Sequence, residues 1–370
     1  RKSEFGGVSQ RIFPNKAVDF LVENRVRGNF FNDFNSGAYL VGRCSPAIRV
    51  YIDGRTEVYG PEFFKEYVKT CEKDDAALFQ KSLDRYRITG VLFNTVQQPA
   101  PPRIMNYLYD SKEWAAVYLN YDGVIFLKDV PQNRDVIAEH RIDFRHWQAA
   151  PMDLYRLGSK KMLPYQHINR AYSLETLGFD NAALAEVGEA LKVTPVYNEP
   201  YKLMGKIYAK RKDYQKAFEN FRIAVLFQPT DREDRMNLAL AYYDLGQYPY
   251  AAEQYRRIID YWPSKVDAYF LLARAYLKDQ KYEEALAQTR RAHAMDPQAI
   301  KDLLELGDLF YEAGKWKEAE EVYQLVAPTK DREGERQYKL GRVYAAMGQK
   351  QRAKGAFDRA LPLVVDNRLM

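Results

Sequence analysis

Six alanines, Ala183, Ala217, Ala251, Ala285, Ala319 and Ala353, recur at an unbroken spacing of 34 residues through the second half of this chain. A fixed period of that length limits the fold to units that stack on copies of themselves, because no single unit can bury its apolar face alone. Twelve positions before each alanine stands another small residue, at Ala171, Gly205, Ala239, Ala273, Gly307 and Gly341, where only a small side chain lets two helices cross closely. Three positions later comes leucine or an aromatic residue: Leu174, Tyr208, Tyr242, Tyr276, Phe310 and Tyr344. Seven positions after each alanine stands Ala190, Ala224, Ile258, Ala292, Val326 or Ala360, and Pro195, Pro229, Pro263 and Pro297 follow the first four of these. Prolines so placed end the second helix of each pair. The sequence therefore predicts six helix-turn-helix units, starting at 164, 198, 232, 266, 300 and 334, stacked as an all-α solenoid.

This pattern resembles the tetratricopeptide repeat family, from Pro164 to the C-terminus. Two departures predict irregular junctions: His167 and Arg170 stand where large apolar residues are usual, and Pro328 arrives three places early in the fifth unit. After Leu363 an apolar tail with Val364, Val365, Leu369 and Met370 takes the place of the usual polar capping helix. The end is expected either to be wrapped by that tail or to be open to a partner.

The 370 residues, 46% of them hydrophobic, can bury a large core and divide into more than one structural unit. The formal net charge of +6 is spread along the chain without the dense Lys/Arg runs of a nucleic-acid or membrane-surface patch. No stretch approaches the roughly 18 to 20 apolar residues that cross a bilayer, and Arg1 to Gly7 has no apolar signal core, so a soluble chain is expected. It begins without methionine, which reads as processing or excision from something longer. Cys44 and Cys71 could pair in an oxidising space or stand as two free thiols.

From about Phe13 to Ala138 the pattern changes. Short β-branched runs at 48–52, 90–93, 115–119 and 124–127 alternate with amphipathic segments at 16–24, 61–71, 76–86 and 103–109, which reads as an α/β domain. Asn120-Tyr121-Asp122-Gly123-Val124 marks a tight hairpin, so the sheet is mixed. The expected organisation is an α/β domain over 1–138, a connecting segment over 139–163 whose Trp147, Pro151 and Tyr155 pack on the first repeat, and the solenoid over 164–370.

Three strings carry a second resemblance: Phe13-Pro14-x-x-Ala17-Val18-x-Phe20-Leu21, then Phe31-Asn32-Asp33-Phe34-Asn35-x-Gly37-x-Tyr39-Leu40, then Val50-Tyr51-Ile52-Asp53-Gly54-Arg55-x-x-x-Tyr59. They look like the soluble domain that follows the membrane helices of bacterial multi-pass proteins similar to GT-C-type glycosyltransferases. That resemblance implies an extracytoplasmic, bacterial periplasmic setting and membrane association through a partner or a membrane region, with a cytoplasmic setting left open. It transfers no catalytic role, since the part bearing the catalytic acid in that family is absent from this sequence.

No motif for an enzyme, cofactor or metal emerges. His140, His146, His167 and His293 lack metal-ligand spacing, and no phosphate loop, dinucleotide fingerprint or nucleophile elbow is present. Asp53 and Arg55, beyond the end of a strand, could bind a polar ligand, with Asp33 nearby in the same role. Alternatively, Asp53 and Gly54 make a turn, Arg55 pairs with Glu57 or Asp33, and Asn32, Asp33 and Asn35 bond nearby backbone.

What remains is the wall of first helices, whose second, fifth, ninth and twelfth repeat positions share a face. That face carries Tyr165, Tyr172, Lys202, Lys206, Met236, Tyr243, Phe270, Arg274, Leu277, Asp308, Tyr311, Tyr338 and Arg342, with Asn237 close by. Aromatics, methionine and arginine concentrate binding energy at interfaces. About half of these residues are expected to be exposed, the others packing against the next repeat. Lys202 and Lys206, one turn apart, could hold an acidic segment or form a solvated basic face. Some family members bind peptide C-termini through an asparagine one turn after such a lysine, but Lys206 occupies that place, so an extended or helical acidic and apolar segment fits better. The expected function is a non-enzymatic scaffold that binds a protein partner in the solenoid groove. The alternative is an accessory or acceptor-binding part of a membrane glycosyltransferase-like system, touching glycan at Asp53 and Arg55.

Overall fold

The computed structural model describes residues 12–96, 100–144, 146–149, 152, 156–157, 161–162, 164–329 and 332–366. By compactness the chain forms two units, Arg1–Ile207 and Tyr208–Met370.

The first unit opens with α1 (Asn15–Glu23), β1 (Gly28–Asn32), α2 (Phe34–Cys44), β2 (Ile48–Val50), α3 (Thr56–Tyr59), α4 (Pro61–Glu72), α5 (Ala76–Arg85) and β3 (Ile88–Asn94). Then come α6 (Pro102–Asp110), β4 (Trp114–Asn120), β5 (Gly123–Lys128) and α7 (Arg134–His140). The sheet order is β2-β1-β3-β5-β4, with β2, β1 and β3 parallel and the β4–β5 hairpin antiparallel. The mixed sheet and its hairpin match the sequence reading. β1 and α2 were not expected, because the Phe31-Asn32-Asp33-Phe34-Asn35 run reads as a turn. Asp33 does turn the chain there: its carboxylate accepts from Ser36 N at 2.9 Å and caps α2.

One buried carboxylate ties the hairpin to the first helix. α1 has no side-chain cap of its own, and Asp122 in the hairpin turn accepts from Lys16 N at 2.6 Å and Ala17 N at 3.0 Å. The Tyr118 hydroxyl donates to its other oxygen at 2.8 Å. A sequence separation of 105 residues hides this cap from any local reading.

A short pair of strands, β6 (Arg156–Leu157) and β7 (Lys161–Met162), precedes α8 (Tyr165–Thr176) and α9 (Asp180–Val193). These two helices form the first predicted repeat, yet Ile168, Ala171, Leu174, Ala183 and Val187 share one core with Phe31, Trp114, Leu119 and Phe126 of the sheet. Phe179 stacks on Phe144 with centroids 4.6 Å apart. The boundary by compactness therefore falls after this helix pair. The polar residues that broke the repeat pattern belong to this seam. Arg170 donates to Glu186 at 2.7 Å, His167 lies 2.8 Å from the other Glu186 oxygen, and the Arg170 guanidinium sits over the Trp147 ring. Trp147 thus meets Arg170 of the first helix pair, while Pro151 and Tyr155 lie outside the described residues.

α10 (Asn198–Lys210) crosses the limit between the units. The second unit continues with α11 (Tyr214–Phe227), α12 (Arg232–Asp244), α13 (Tyr248–Tyr261), α14 (Val266–Lys278), α15 (Tyr282–Met295), α16 (Ile300–Glu312), α17 (Trp316–Leu325), α18 (Glu333–Ala346) and α19 (Lys350–Asp366). The second helices of all six pairs begin 34 residues apart, from Asp180 to Lys350. Between the helices of each pair one residue takes a left-handed conformation at the same repeat position: Gly178, Lys212, Gly246, Gln280, Gly314 and Gly348, with φ between 60° and 83°. The next backbone N–H then reaches back to the carbonyl of the leucine or aromatic position, as Lys281 N does to Tyr276 at 2.9 Å.

Packing explains the rest of the pattern. The repeat alanines are buried, and a Cβ on Gly307 would lie 2.3 Å from the Tyr323 ring, so the missing side chain is the space that the ring fills. α17 stops at Leu325, short of its counterparts, because Pro328 follows early. The side chains of Val364 and Val365 and all of Leu369 and Met370 lie outside the described residues.

Candidate partner-binding face of the helical repeats

Of the fourteen face residues named from sequence, three, Lys202, Phe270 and Leu277, are buried. Lys202 is 6% exposed and pairs with Glu199 at 2.9 Å, so its ammonium faces inward and is not a docking cation. Glu199 also accepts from the Tyr172 hydroxyl at 2.6 Å. Lys206, half-buried, is engaged within the chain as well. The expected basic pair is therefore not free: one helical turn places both lysines toward α10's own packed side. Phe270 and Leu277 are buried with Leu303, Leu304 and Phe310, because the fifth and twelfth positions of the fourth unit meet the fifth unit directly. Tyr165 and Tyr172 lie half-buried on α8 in the first unit.

The second unit presents a different arrangement. Arg342, exposed on α18, places its guanidinium over the Tyr311 ring of α16, 4.5 Å from the centroid. Arg274 on α14 stands 6.0 Å over Tyr243 of α12. In both stacks an arginine at the ninth position of one repeat covers a tyrosine at the twelfth position of the repeat before it. Burial pushes the Tyr243 phenol pKa up, and Arg274 pulls it back. Arg274 also faces Glu305 at 3.7 Å. Tyr338 is 51% exposed beside Phe357, Met236 is half-buried, and the Asn237 amide nitrogen is a buried donor without a hydrogen-bond partner among the described residues.

The helices of the second stack also carry a polar knot. Asp308 accepts from the Tyr323 hydroxyl at 2.6 Å and from Lys339 Nζ at 2.8 and 2.6 Å. Asp308 was assigned to a partner, but its carboxylate is satisfied inside the protein. Tyr323, Lys339 and Tyr255 were missed. The sequence does hold a signal: residues two repeats apart echo one another as Tyr243 and Tyr311, Tyr255 and Tyr323, Arg274 and Arg342.

In the first unit, Asp33 and Asp53 do stand beyond the ends of β1 and β2. Arg55 binds neither Glu57 nor Asp33. It folds back on Asp53, with Nε at 3.0 Å and its backbone N–H at 3.0 Å from the same oxygen. Two residues of separation and a turn between them make that the shortest closure. Arg55 holds the Asp53 carboxyl below the usual range. The second Asp33 oxygen is buried without a hydrogen-bond partner among the described residues, and burial raises its pKa. Cys44 and Cys71 are not joined to each other in a disulfide. Among the described residues no three or more His, Cys, Asp or Glu side chains gather as metal ligands, and no helix is long and apolar enough to cross a membrane.

Three family models of the tetratricopeptide repeat match the chain, over residues 236–300, 303–337 and 337–361. The C-terminal segment is thus a run of tetratricopeptide repeats behind a mixed α/β region. Among solved structures, MamA of Desulfovibrio magneticus RS-1 is 24% identical with a TM-score of 0.41, over 44% of this chain and 92% of that one. PilF of Pseudomonas aeruginosa is 15% identical with a TM-score of 0.40, over 52% and 88%. YrrB, described as a TPR protein with an unusual peptide-binding site, is 18% identical with a TM-score of 0.39, over 52% and 90%. Comparison with curated protein sequences finds no match.

Proposed function

We propose that this chain is a non-enzymatic scaffold whose second unit binds a segment of a protein partner along the face formed by α12, α14, α16 and α18. The observation that carries the reading is the repeated tyrosine–arginine stack, Tyr243 with Arg274 and Tyr311 with Arg342. Stacking restricts each arginine, and tyrosine and arginine are among the residues that dominate interface energies. Exposed Tyr338 and half-buried Met236 extend the same face with apolar area. A segment with both apolar and acidic character complements it. The strings from Phe13 to Tyr59 support an extracytoplasmic, membrane-associated setting for the scaffold.

The test is photo-crosslinking from defined positions in cells. A photoreactive residue at Tyr338 or Tyr243 should attach to a polypeptide partner, and one at Tyr261, exposed on α13, should not. Crosslinks from Tyr261 alone, or from none of the three, would overturn the assignment of the face.

A further inference from the structure

We propose that the Tyr255 hydroxyl and the Arg274 guanidinium form a binding point for one acidic side chain of the partner segment. This rests on the binding face proposed above and names the group that the face recognises.

The protein contains its own filled copy of the site two repeats further on. Tyr323 is fully buried, and its hydroxyl donates to Asp308 on the preceding first helix, while Lys339 donates to both oxygens of that carboxylate. Arg342 and Tyr311 stand beside them as a stack. Two repeats earlier the buried tyrosine and the tyrosine–arginine stack recur, while both the carboxylate and its lysine are missing. Tyr255 is 1% exposed, and its hydroxyl has no hydrogen-bond partner among the described residues. Where Asp308 stands, this copy has Leu240, 38% exposed, and where Lys339 stands it has Leu271. Arg274 and Tyr243 remain as the stack.

A buried hydroxyl left without an acceptor is unfavourable, and an anionic acceptor makes the stronger bond. The carboxylate nearest Arg274 is that of Glu305, at 3.7 Å too far for a hydrogen bond. The Arg274 charge also opposes the rise in pKa that burial imposes on Tyr255, which places the two groups within electrostatic reach. Asp244, exposed on α12, acts on Tyr255 in the opposite sense. That local negative charge admits one carboxylate and works against a doubly charged phosphate. Asp308 shows the chemistry in the filled copy, a single carboxylate accepting from a buried tyrosine and from Lys339 of the next repeat; in the empty copy Arg274 is the cation of the next repeat that takes the lysine's part.

Leu240→Asp tests this without any partner, by supplying the carboxylate from the chain itself. The melting temperature should rise by about 2 °C or more, and the rise should vanish when Tyr255→Phe is added. Equal destabilisation by Leu240→Asp in both backgrounds would overturn the site and leave the binding face standing. The second arm uses a displayed random-peptide library selected on the intact protein, with binding to the face read by crosslinking at Tyr338. Selected peptides should carry an Asp or Glu whose conversion to the amide weakens binding about tenfold. The same conversion should have no further effect on Tyr255→Phe or Leu240→Asp protein. Peptides that bind the face without such dependence refute the acidic site alone, and failure to select any peptide on the face refutes both proposals.

Discussion

Arg342 and Tyr311 are separated by 31 residues yet form one unit of surface, the guanidinium 4.5 Å from the ring centroid. Tyr311 is half-buried against the core of these repeats, and Arg342 is exposed. What fixes them is the stacking of one repeat on the next, so the contact reports that the register is intact and at the same time faces outward. An exposed stack of this kind is worth about 0.5–1 kcal/mol, which makes it a weak support for folding and a ready anchor for binding.

Replacing Arg342 by Ala should therefore shift the melting temperature only slightly while weakening partner capture. Arg342→Lys should recover little, because an ammonium cannot stack and donate in one plane. Thermal melts read beside crosslinking yield from Tyr338 check both halves of that statement.

The left-handed turn residue offers a stability test. Gln280 adopts φ 60° where four of the other repeats have glycine. Gln280→Gly should stabilise the second unit by about 1 kcal/mol, since it removes the steric cost of a side chain in that region. Gly246→Ala, at φ 73°, should cost a similar amount. Denaturant titration of both variants measures the pair.

A methyl group at Gly307 has no room. Gly307→Ala must push the Tyr323 ring away and should destabilise by about 1–3 kcal/mol. It should also loosen Asp308 and Lys339, because the displaced hydroxyl is one of the donors to that carboxylate. An amide-exchange profile with new openings in α16 and α18 is the expected result.

In the first unit, Glu186→Gln removes one charged partner of buried Arg170 and should destabilise the α/β unit. The loss should appear in the transition that unfolds the α/β core, since α8 and α9 share that core.

The Asp53 carboxyl is held down by Arg55, so its folded pKa lies below the unfolded value near 3.9. Such a group contributes stability above the unfolded pKa and loses it as the pH falls through the folded one. Asp53→Asn should flatten the acid limb of the stability profile below about pH 4, and carbon-detected NMR titration of Asp53 should show the depressed value.

The sequence made the repeats legible because their physics is local. Helix starts, the left-handed turn and the alanine–aromatic packing all lie within one period, so each copy corroborates the others. The α/β region gave up its hydrophobic strands for the same reason. It concealed β1 and α2, whose asparagines and glycine serve contacts made elsewhere: Asn32 bonds Ile52 O and Tyr51 N across the sheet, and Gly37 has no room for a Cβ against Ile52. The proposed binding face was half legible. Helical spacing located the positions but could not separate Tyr338, open to solvent, from Phe270, which the next repeat covers. Nor could it show that Lys202 turns to Glu199, since a lysine's destination depends on neighbours that periodicity does not specify.

The first helix pair, whose Ile168 and Val187 belong to the sheet's core, is a repeat in form and a domain element in substance. Gene duplication can copy a repeat wherever its two neighbours are also repeats, because the new interfaces are the old ones. It cannot copy α8 and α9 without carrying Arg170 and Glu186 into a place that has no Trp147 or Asn120 to receive them. Lengthening and shortening of this protein over evolutionary time should therefore fall among the later repeats, and the pair beginning at Tyr165 should remain single.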